Sequence, residues 1–231
     1  MKNDYSNLEV STGIKFKNED LVNRAFIHKS YINEHREEGL KDNERLEFLG
    51  DAVLELAATH HLFDKCPDHD EGQLTAFRSA LVKGKHLAEV SIELGLGQYL
   101  FLSNGEEKSG GREKKYILAN VMEAYIGAIY LEHGYDIAEK FIEKFILAKL
   151  DKIVEEKLHI DAKSQFQELC QEKLDQTPYY QVISEEGPDH NKRFTMGAYI
   201  DGELIAEGMG TSKQKAEDQA AANAITKKEW N

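Results

Sequence analysis

Asn43–Leu56, NERLEFLGDAVLEL, carries two opposed faces on one short stretch. Gly50 is its only helix breaker, so the segment reads as a helix. At about 100° per residue, Leu46, Leu49, Val53 and Leu56 fall on one face, and Glu44, Glu47 and Asp51 gather on the other. Phe48 stands beside the acids instead of in the apolar stripe. Carboxylates at i, i+3 and i+7 repel one another unless a cation lies among them. Spacing alone leaves a solvated acidic face and a metal-binding face both open.

The chain has 231 residues, enough for one large or two small domains. It is 41% hydrophobic with only 3 Pro, which supports real cores and argues against long disordered stretches. MKNDYSNLEV lacks the apolar region of a secretory signal, and no run approaches the roughly 18 apolar residues of a membrane span. A soluble, cytoplasmic protein with no membrane partner is expected. Cys66 and Cys170 lie far apart without metal-ligand spacing and read as buried, reduced thiols. The nine His form no HxxxH or HExxH pattern, and the neighbours His60 and His61 point differently on a helix, so no zinc site is expected. A net charge of −13 argues against loose, whole-surface binding of nucleic acid but leaves room for local basic patches.

Residues 8–34 read as two helical pieces, Leu8–Gly13 and Asn18–Tyr31, the second with Leu21, Ala25 and His28 at helical spacing. His35–Asp42 is a charged loop, and the acid-bearing helix then runs to about Lys65. Pro and Gly make Cys66–Gly72 a turn holding Glu71, followed by helices Gln73–Lys83 and Lys85–Leu94. Ser103–Lys115 reads as a Gly-rich, charged, flexible loop. Tyr116–His133 is apolar almost all round and should be a buried central helix. Its polar exceptions, Asn120 and Glu123, share a face with Ala124 and Gly127, which would admit a second helix at close range. A buried carboxylate is costly unless paired. Glu123 therefore needs a cation, either a metal ion shared with the acids around Glu47 or a nearby Lys or Arg. An amphipathic helix, Ile137–Lys149, precedes the charged Asp151–His159, a helix end plus linker.

Beyond the linker the texture changes. Residues 162–176 form a helix with Phe166, Leu169, Cys170 and Leu174 on its core side. Strand-like runs follow at Tyr179–Glu185, Arg193–Ile200 and Glu203–Gly208, with Asp201-Gly202 as a two-residue hairpin turn. A last helix, Ser212–Lys228, turns Ala216, Ala220, Ala224 and Ile225 inward, and Thr211 with Gln214 suits a capping box. The order α-β-β-β-α is a compact α+β domain behind an all-α one. It holds 8 Lys and Arg against 13 Asp and Glu, a net of −5, yet its bases gather at two places. One is GPDHNKR, with His190, Lys192 and Arg193. The other is the start of the last helix, with Lys213 and Lys215, where dipole and side chains together suit phosphate, although a solvated helix start has the same composition.

NERLEFLGDAVLEL resembles the signature of the ribonuclease III family, which cuts double-stranded RNA. FKNEDLVNRAFIHKSY, DEGQLTAFRSALV and SGGREKKYILANVMEAYIGAIYLEHG resemble, in order, that family's first helices, its acidic turn with the following helix, and its second acidic motif. The C-terminal segment resembles the family's double-stranded RNA-binding domain in its first helix, GPxH loop and SKxxAE helix start. The resemblance implies a catalytic domain over residues 1–150, a linker over 151–160 and an RNA-binding domain over 161–229.

It further implies that Asp51 and Glu123 are catalytic and that Glu47, Asp51, Asn120 and Glu123 hold Mg²⁺, with Mn²⁺ as a substitute. Glu44 and Glu71 would support the cleavage site, and Phe48 would pack against a second subunit in a homodimer. Gln165, Glu168, His190, Lys192, Lys213 and Lys215 would contact RNA. Asn120 departs from the family's usual Asp. An amide oxygen can ligate Mg²⁺ without contributing charge, which leaves a catalytically weak or inactive RNA-binding scaffold as the alternative. The implied activity is Mg²⁺-dependent hydrolysis of duplex RNA, giving 5′-phosphate and 3′-hydroxyl ends with short 3′ overhangs, in rRNA and mRNA processing. No organic cofactor is implied.

Overall fold

A helix that is apolar on every side must be enclosed on every side, and Lys115–His133 is the one around which the N-terminal unit is built. The computed structural model describes residues 3–155, 162–188 and 192–230. The chain divides into two compact units, residues 1–159 and 160–231. Among its described residues the first is built from helices: α1 (Ser6–Thr12), α2 (Glu19–Ala25), α3 (Lys29–Glu34), α4 (Glu44–Lys65), α5 (Glu71–Val82), α6 (Gly84–Glu93), α7 (Asn104–Lys108), α8 (Lys115–His133), α9 (Tyr135–Phe145) and α10 (Leu150–Glu155). α8 buries Ile117, Leu118, Val121, Met122, Tyr125, Ile126 and Ile129, and α2, α4, α6 and α9 pack against it. Among the described residues no helix is long and apolar enough to cross a membrane.

α4 and α8 cross at close range. A Cβ at Gly50 would overlap the Glu123 carbonyl, and one at Gly127 would overlap the Leu46 carbonyl. The two glycines bring backbone against backbone, as the small residues of the α8 face lead one to expect. The start of α4 is anchored separately. Asn43 is buried; its backbone N–H donates to the Ile27 carbonyl at 2.9 Å and its side-chain amide to the Ala25 carbonyl at 3.1 Å.

Several expectations need correction. The piece expected over Asn18–Tyr31 is broken into α2 and α3. Phe26 and His28 exchange backbone hydrogen bonds with Phe101 at 2.9 and 3.1 Å, and His28, in extended backbone, caps α3 through Nδ1. The loop His35–Asp42 contains a 3₁₀ turn, Arg36–Glu38. Leu56 is 57% exposed instead of buried. The inner face of α4 is rotated toward Leu54, Ala57 and Ala58, because α5 and α9 pack on it beside α8. Ser103–Lys115 is not a loose loop. Ser103 caps α7, Arg112 donates to the Gly97 and Gln98 carbonyls at 2.9 and 3.1 Å, and Lys114 pairs with Glu106 at 2.6 Å. α9 stops at Phe145, and a tighter turn, Leu147–Lys149, follows, with Ile146 and Leu147 both buried. His60 and His61 both meet α9, at Glu139 (2.7 Å) and Glu143 (3.4 Å). Cys66 is only half-buried, while Cys170 is buried and both thiols are free.

The second unit comprises α11 (Ala162–Leu174), β1 (Tyr179–Glu186), β2 (Arg193–Ile200), β3 (Glu203–Gly210) and α12 (Lys213–Lys227). The antiparallel sheet runs β1-β2-β3. Asp201 and Gly202, at φ 49° and 83°, make the tight turn between the paired Ile200 and Glu203, as the sequence predicts. Phe166 and Cys170 of α11 and Ala220, Ala224 and Ile225 of α12 close the core over Ala198, Ile200 and Ile205. Leu174, expected inside, is 43% exposed at the helix end. β3 extends to Gly210, so the cap of α12 is Ser212 instead of Thr211. With Lys215 at the third helical position no reciprocal capping box forms.

The glycine crossing yields a stability test. Gly50→Ala and Gly127→Ala should each cost about 3 kcal/mol, lowering the melting temperature by about 6–12 °C. Gly105→Ala, in α7 with open space around it, should change stability by less than about 1 kcal/mol. Equal melting of all three variants would remove the crossing as a tight constraint.

Candidate active site and nucleic-acid interface

Glu47 and Asp51 flank Gly50 on α4, and Asn120 and Glu123 lie in the second and third turns of α8, so the close crossing brings the four together. Glu123 is pushed up from 4.5 to about 7 by burial and then by the charges of Asp51 and Glu47. Glu47 is raised by burial and by Glu44, against a hydrogen bond from the Asn120 amide that favours its ionised form. Among the described residues no Lys or Arg forms an ion pair with Glu123 or Glu47. The Lys or Arg partner that the sequence left open for Glu123 is therefore not found among them. Glu44, the first residue of α4, is paired instead with Lys29 at 2.8 Å.

Among the described residues no group of three or more His, Cys, Asp or Glu side chains is gathered tightly enough to hold a metal ion as it stands. The four donors share a crossing and not a closed cage. Their chemistry nevertheless suits a hard divalent cation: oxygen donors only, three of them anionic, one a neutral amide. Glu123 and Glu47 are both raised, first by burial and then by neighbouring carboxylates.

Glu71 is not brought to this cluster. The turn after Lys65 reverses the chain, so that Arg78 of α5 pairs with Glu55 at 3.2 Å and donates to Thr59 at 3.0 Å. Glu71 thus begins α5 near the far end of α4, a helix of 22 residues, or about 33 Å. Phe48 is 80% exposed, and helical spacing sets it on one side of α4 with Leu56 and Phe63, which is 72% exposed. An apolar stripe therefore runs along the outside of the helix whose inside carries the crossing.

In the second unit, Gln165 and Glu168 lie one turn apart on α11, half-buried and exposed respectively. Lys213 and Lys215 occupy the first turn of α12, and Lys192 directly precedes β2. His190 lies outside the described residues. Lys213 and Lys192 both pair with Glu185 of β1, at 2.9 and 3.0 Å.

Sequence reasoning missed four residues that shape these sites. Gly50 was visible only as a helix breaker, although its spacing to the acids was a usable signal. Asn43, Lys29 and Glu185 act through long-range contacts to Ala25, Glu44 and the two lysines, and nothing local in the sequence marks them.

The family description "Ribonuclease-III-like" matches residues 18–150, and "Double-stranded RNA binding motif" matches residues 162–228. The chain is similar to Ribonuclease 3 of Listeria monocytogenes, 44% identical over 97% of this chain and 98% of that protein. Ribonuclease 3 of Pelotomaculum thermopropionicum is 44% identical over 93% of this chain and 89% of that protein. Among solved structures, the nuclease domain of ribonuclease III from Campylobacter jejuni superposes with a TM-score of 0.58 at 41% identity, covering 64% of this chain and 96% of that one. The carboxylate-bearing helices fall inside the first match and the lysine-tipped helix inside the second, so the chain belongs to the ribonuclease III family and joins its nuclease domain to a double-stranded RNA binding motif.

Proposed function

We propose that this protein is a cytoplasmic, homodimeric, Mg²⁺-dependent endoribonuclease that cleaves double-stranded RNA, leaving 5′-phosphate and 3′-hydroxyl ends with short 3′ overhangs. Precursor rRNA and structured mRNA are the substrates it would process. The observation that carries this reading is the glycine crossing, which sets Glu47, Asp51, Asn120 and Glu123 together in a chain that also holds a double-stranded RNA binding motif.

Glu47, Asp51, Asn120 and Glu123 would hold Mg²⁺, or Mn²⁺ in its place. When bound, the metal supplies Lewis acidity that lowers the pKa of its water and stabilises charge developing on the phosphate. The residues themselves orient. Asp51 on α4 and Glu123 on α8, which feel one another's charge, would be the catalytic carboxylates. Asn120 donates to Glu47 through its amide N–H and keeps its carbonyl oxygen as an acceptor. Glu44 adds negative charge at the edge. The contribution expected of Glu71 belongs to the assembled dimer, since one chain keeps it away from the cluster. Phe48, with Leu56 and Phe63, offers an apolar stripe suited to a second subunit. Gln165, Glu168 and the segment bearing His190 and Lys192 would read the minor grooves, and Lys213 and Lys215 the phosphates between them. This reading recognises A-form shape over about 16 bp.

A second reading, a weak or inactive RNA-binding scaffold, is favoured by Asn120 alone. One assay separates the two. Long duplex RNA with Mg²⁺ should be cut to short duplexes, and Glu123→Ala should abolish cutting while leaving binding intact. Asn120→Asp should change the rate little; a large gain would mark the natural site as impaired. Absence of cutting across a wide range of Mg²⁺ and Mn²⁺, with duplex binding intact, would sink the nuclease reading.

The raised proton affinity of Glu123 gives a pH test. In the metal-free protein the folded state holds this proton more tightly than the unfolded chain. Its contribution to stability is thus full below about pH 4.5 and lost as pH rises through about 7. A divalent cation favours the ionised form. Mg²⁺ should therefore raise the melting temperature more at about pH 8 than at about pH 5.5, and Glu123→Gln should remove most of that difference. Equal Mg²⁺ effects at both pH values would separate Glu123 from the metal. For the dimer, Phe48→Glu should sediment as a monomer, and a persisting dimer would take Phe48 out of the interface.

A further inference from the structure

Two lysines from different elements hold one carboxylate on the RNA-binding unit. Lys213 Nζ, at the start of α12, lies 2.9 Å from Glu185 Oε1. Lys192 Nζ, just before β2, lies 3.0 Å from Glu185 Oε2. Phe194, paired with Glu185 across the β1–β2 ladder, underlies both ammonium groups, with its ring centroid 5.7 Å from Lys213 Nζ and 5.9 Å from Lys192 Nζ. Lys215 instead reaches the Thr211 hydroxyl at 3.3 Å. The two lysines, Lys213 foremost, hold the Glu185 carboxyl below the usual carboxylate range.

A carboxylate gripped through both oxygens by two ammonium groups presents the pattern that the two non-bridging oxygens of a phosphodiester would present. Resting on the reading of Lys213 as a phosphate contact, we propose that Glu185 stands in the place of an RNA phosphate in the free protein. It is then a built-in competitor that sets affinity and salt dependence for duplex RNA. Glu185 itself need not touch RNA; it acts by competing with phosphate for the two lysines. Its pairs are exposed, so each is weak and readily exchanged. Exchange has a consequence in salt. A phosphate neutralised by Lys213 releases a condensed cation, but the freed Glu185 takes one up, so part of the counterion release is cancelled.

The test is duplex RNA longer than about 16 bp, titrated with the full chain in chelator so that no cleavage occurs, at several salt concentrations. Glu185→Gln keeps the shape of the side chain and the backbone ladder while removing its charge. It should bind about two- to fivefold more tightly and show a salt slope steeper by up to about one. Lys213→Ala should weaken binding and flatten the slope. In the Lys213→Ala background, Glu185→Gln should lose most of its gain. If Glu185 only props the lysines in place, Glu185→Gln will bind as the wild type or more weakly, with no steeper slope. That outcome, alongside a weakened Lys213→Ala, overturns the competitor role and leaves the phosphate contact standing. If Lys213→Ala changes neither affinity nor slope, the phosphate contact itself fails and the competitor role falls with it.

Discussion

The backbone contact between α4 and α8 is the constraint on which the nuclease unit depends. Gly50 and Gly127 leave no room for a Cβ, so each helix presses directly on the other's carbonyl groups. The same turns carry Glu47 and Asp51 on one helix and Glu123 on the other. A larger residue at either glycine would separate the acids as well as loosen the core. The crossing therefore links stability to chemistry, and neither can be relaxed alone. Its cost is electrostatic. Burial, and then the charges of Asp51 and Glu47, push Glu123 from 4.5 up to about 7, on the order of 3 kcal/mol against the ionised form. Packing outweighs this. α8 buries Ile117, Leu118, Val121, Met122, Ile126 and Ile129, each contributing roughly 1.5–3 kcal/mol.

Both units meet the problem of like charge, with opposite solutions. In the nuclease unit, carboxylates share a helix crossing, and among the described residues no Lys or Arg pairs with Glu47 or Glu123. In the RNA-binding unit, Lys213 and Lys192 are brought together and Glu185 supplies the counter-charge from within. The net charge of −13 thus conceals a division of labour. Acids concentrate at the α4–α8 crossing, and Lys213 and Lys192 each sit against an acid of their own unit.

Most of the architecture was legible because it follows from local pattern. The all-round apolarity of Tyr116–His133 placed the central helix, and the Asp201-Gly202 turn placed the hairpin. Glu47, Asp51, Asn120 and Glu123 were singled out because resemblance in two motifs coincided with helical spacing, and the α4–α8 crossing carries all four. Errors arose where a distant segment overrode local spacing. The interruption at Phe26–His28 depends on Phe101, some seventy residues away. The order in Ser103–Lys115 comes from Arg112 reaching the Gly97 and Gln98 carbonyls. Leu56 fits an apolar stripe in isolation, but α5 and α9 turn the inner face toward Leu54 and Ala58. Glu185 reads as one of two adjacent acids until the β1–β2 register and the start of α12 place it between two lysines.

Asn120 shows how one substitution acts on both sides of this balance. A carboxylate there would add a fourth negative charge to a set in which Glu123 and Glu47 are already raised. The amide instead donates a hydrogen bond to Glu47 that favours its ionised form. The metal-free site is thereby relieved of one repulsion and given one internal bond. The same change removes one unit of charge that would attract a divalent cation. Stability without metal and affinity for metal thus pull in opposite directions at this position. Three carboxylates still remain at the crossing, with Glu123 raised by burial and by two neighbours.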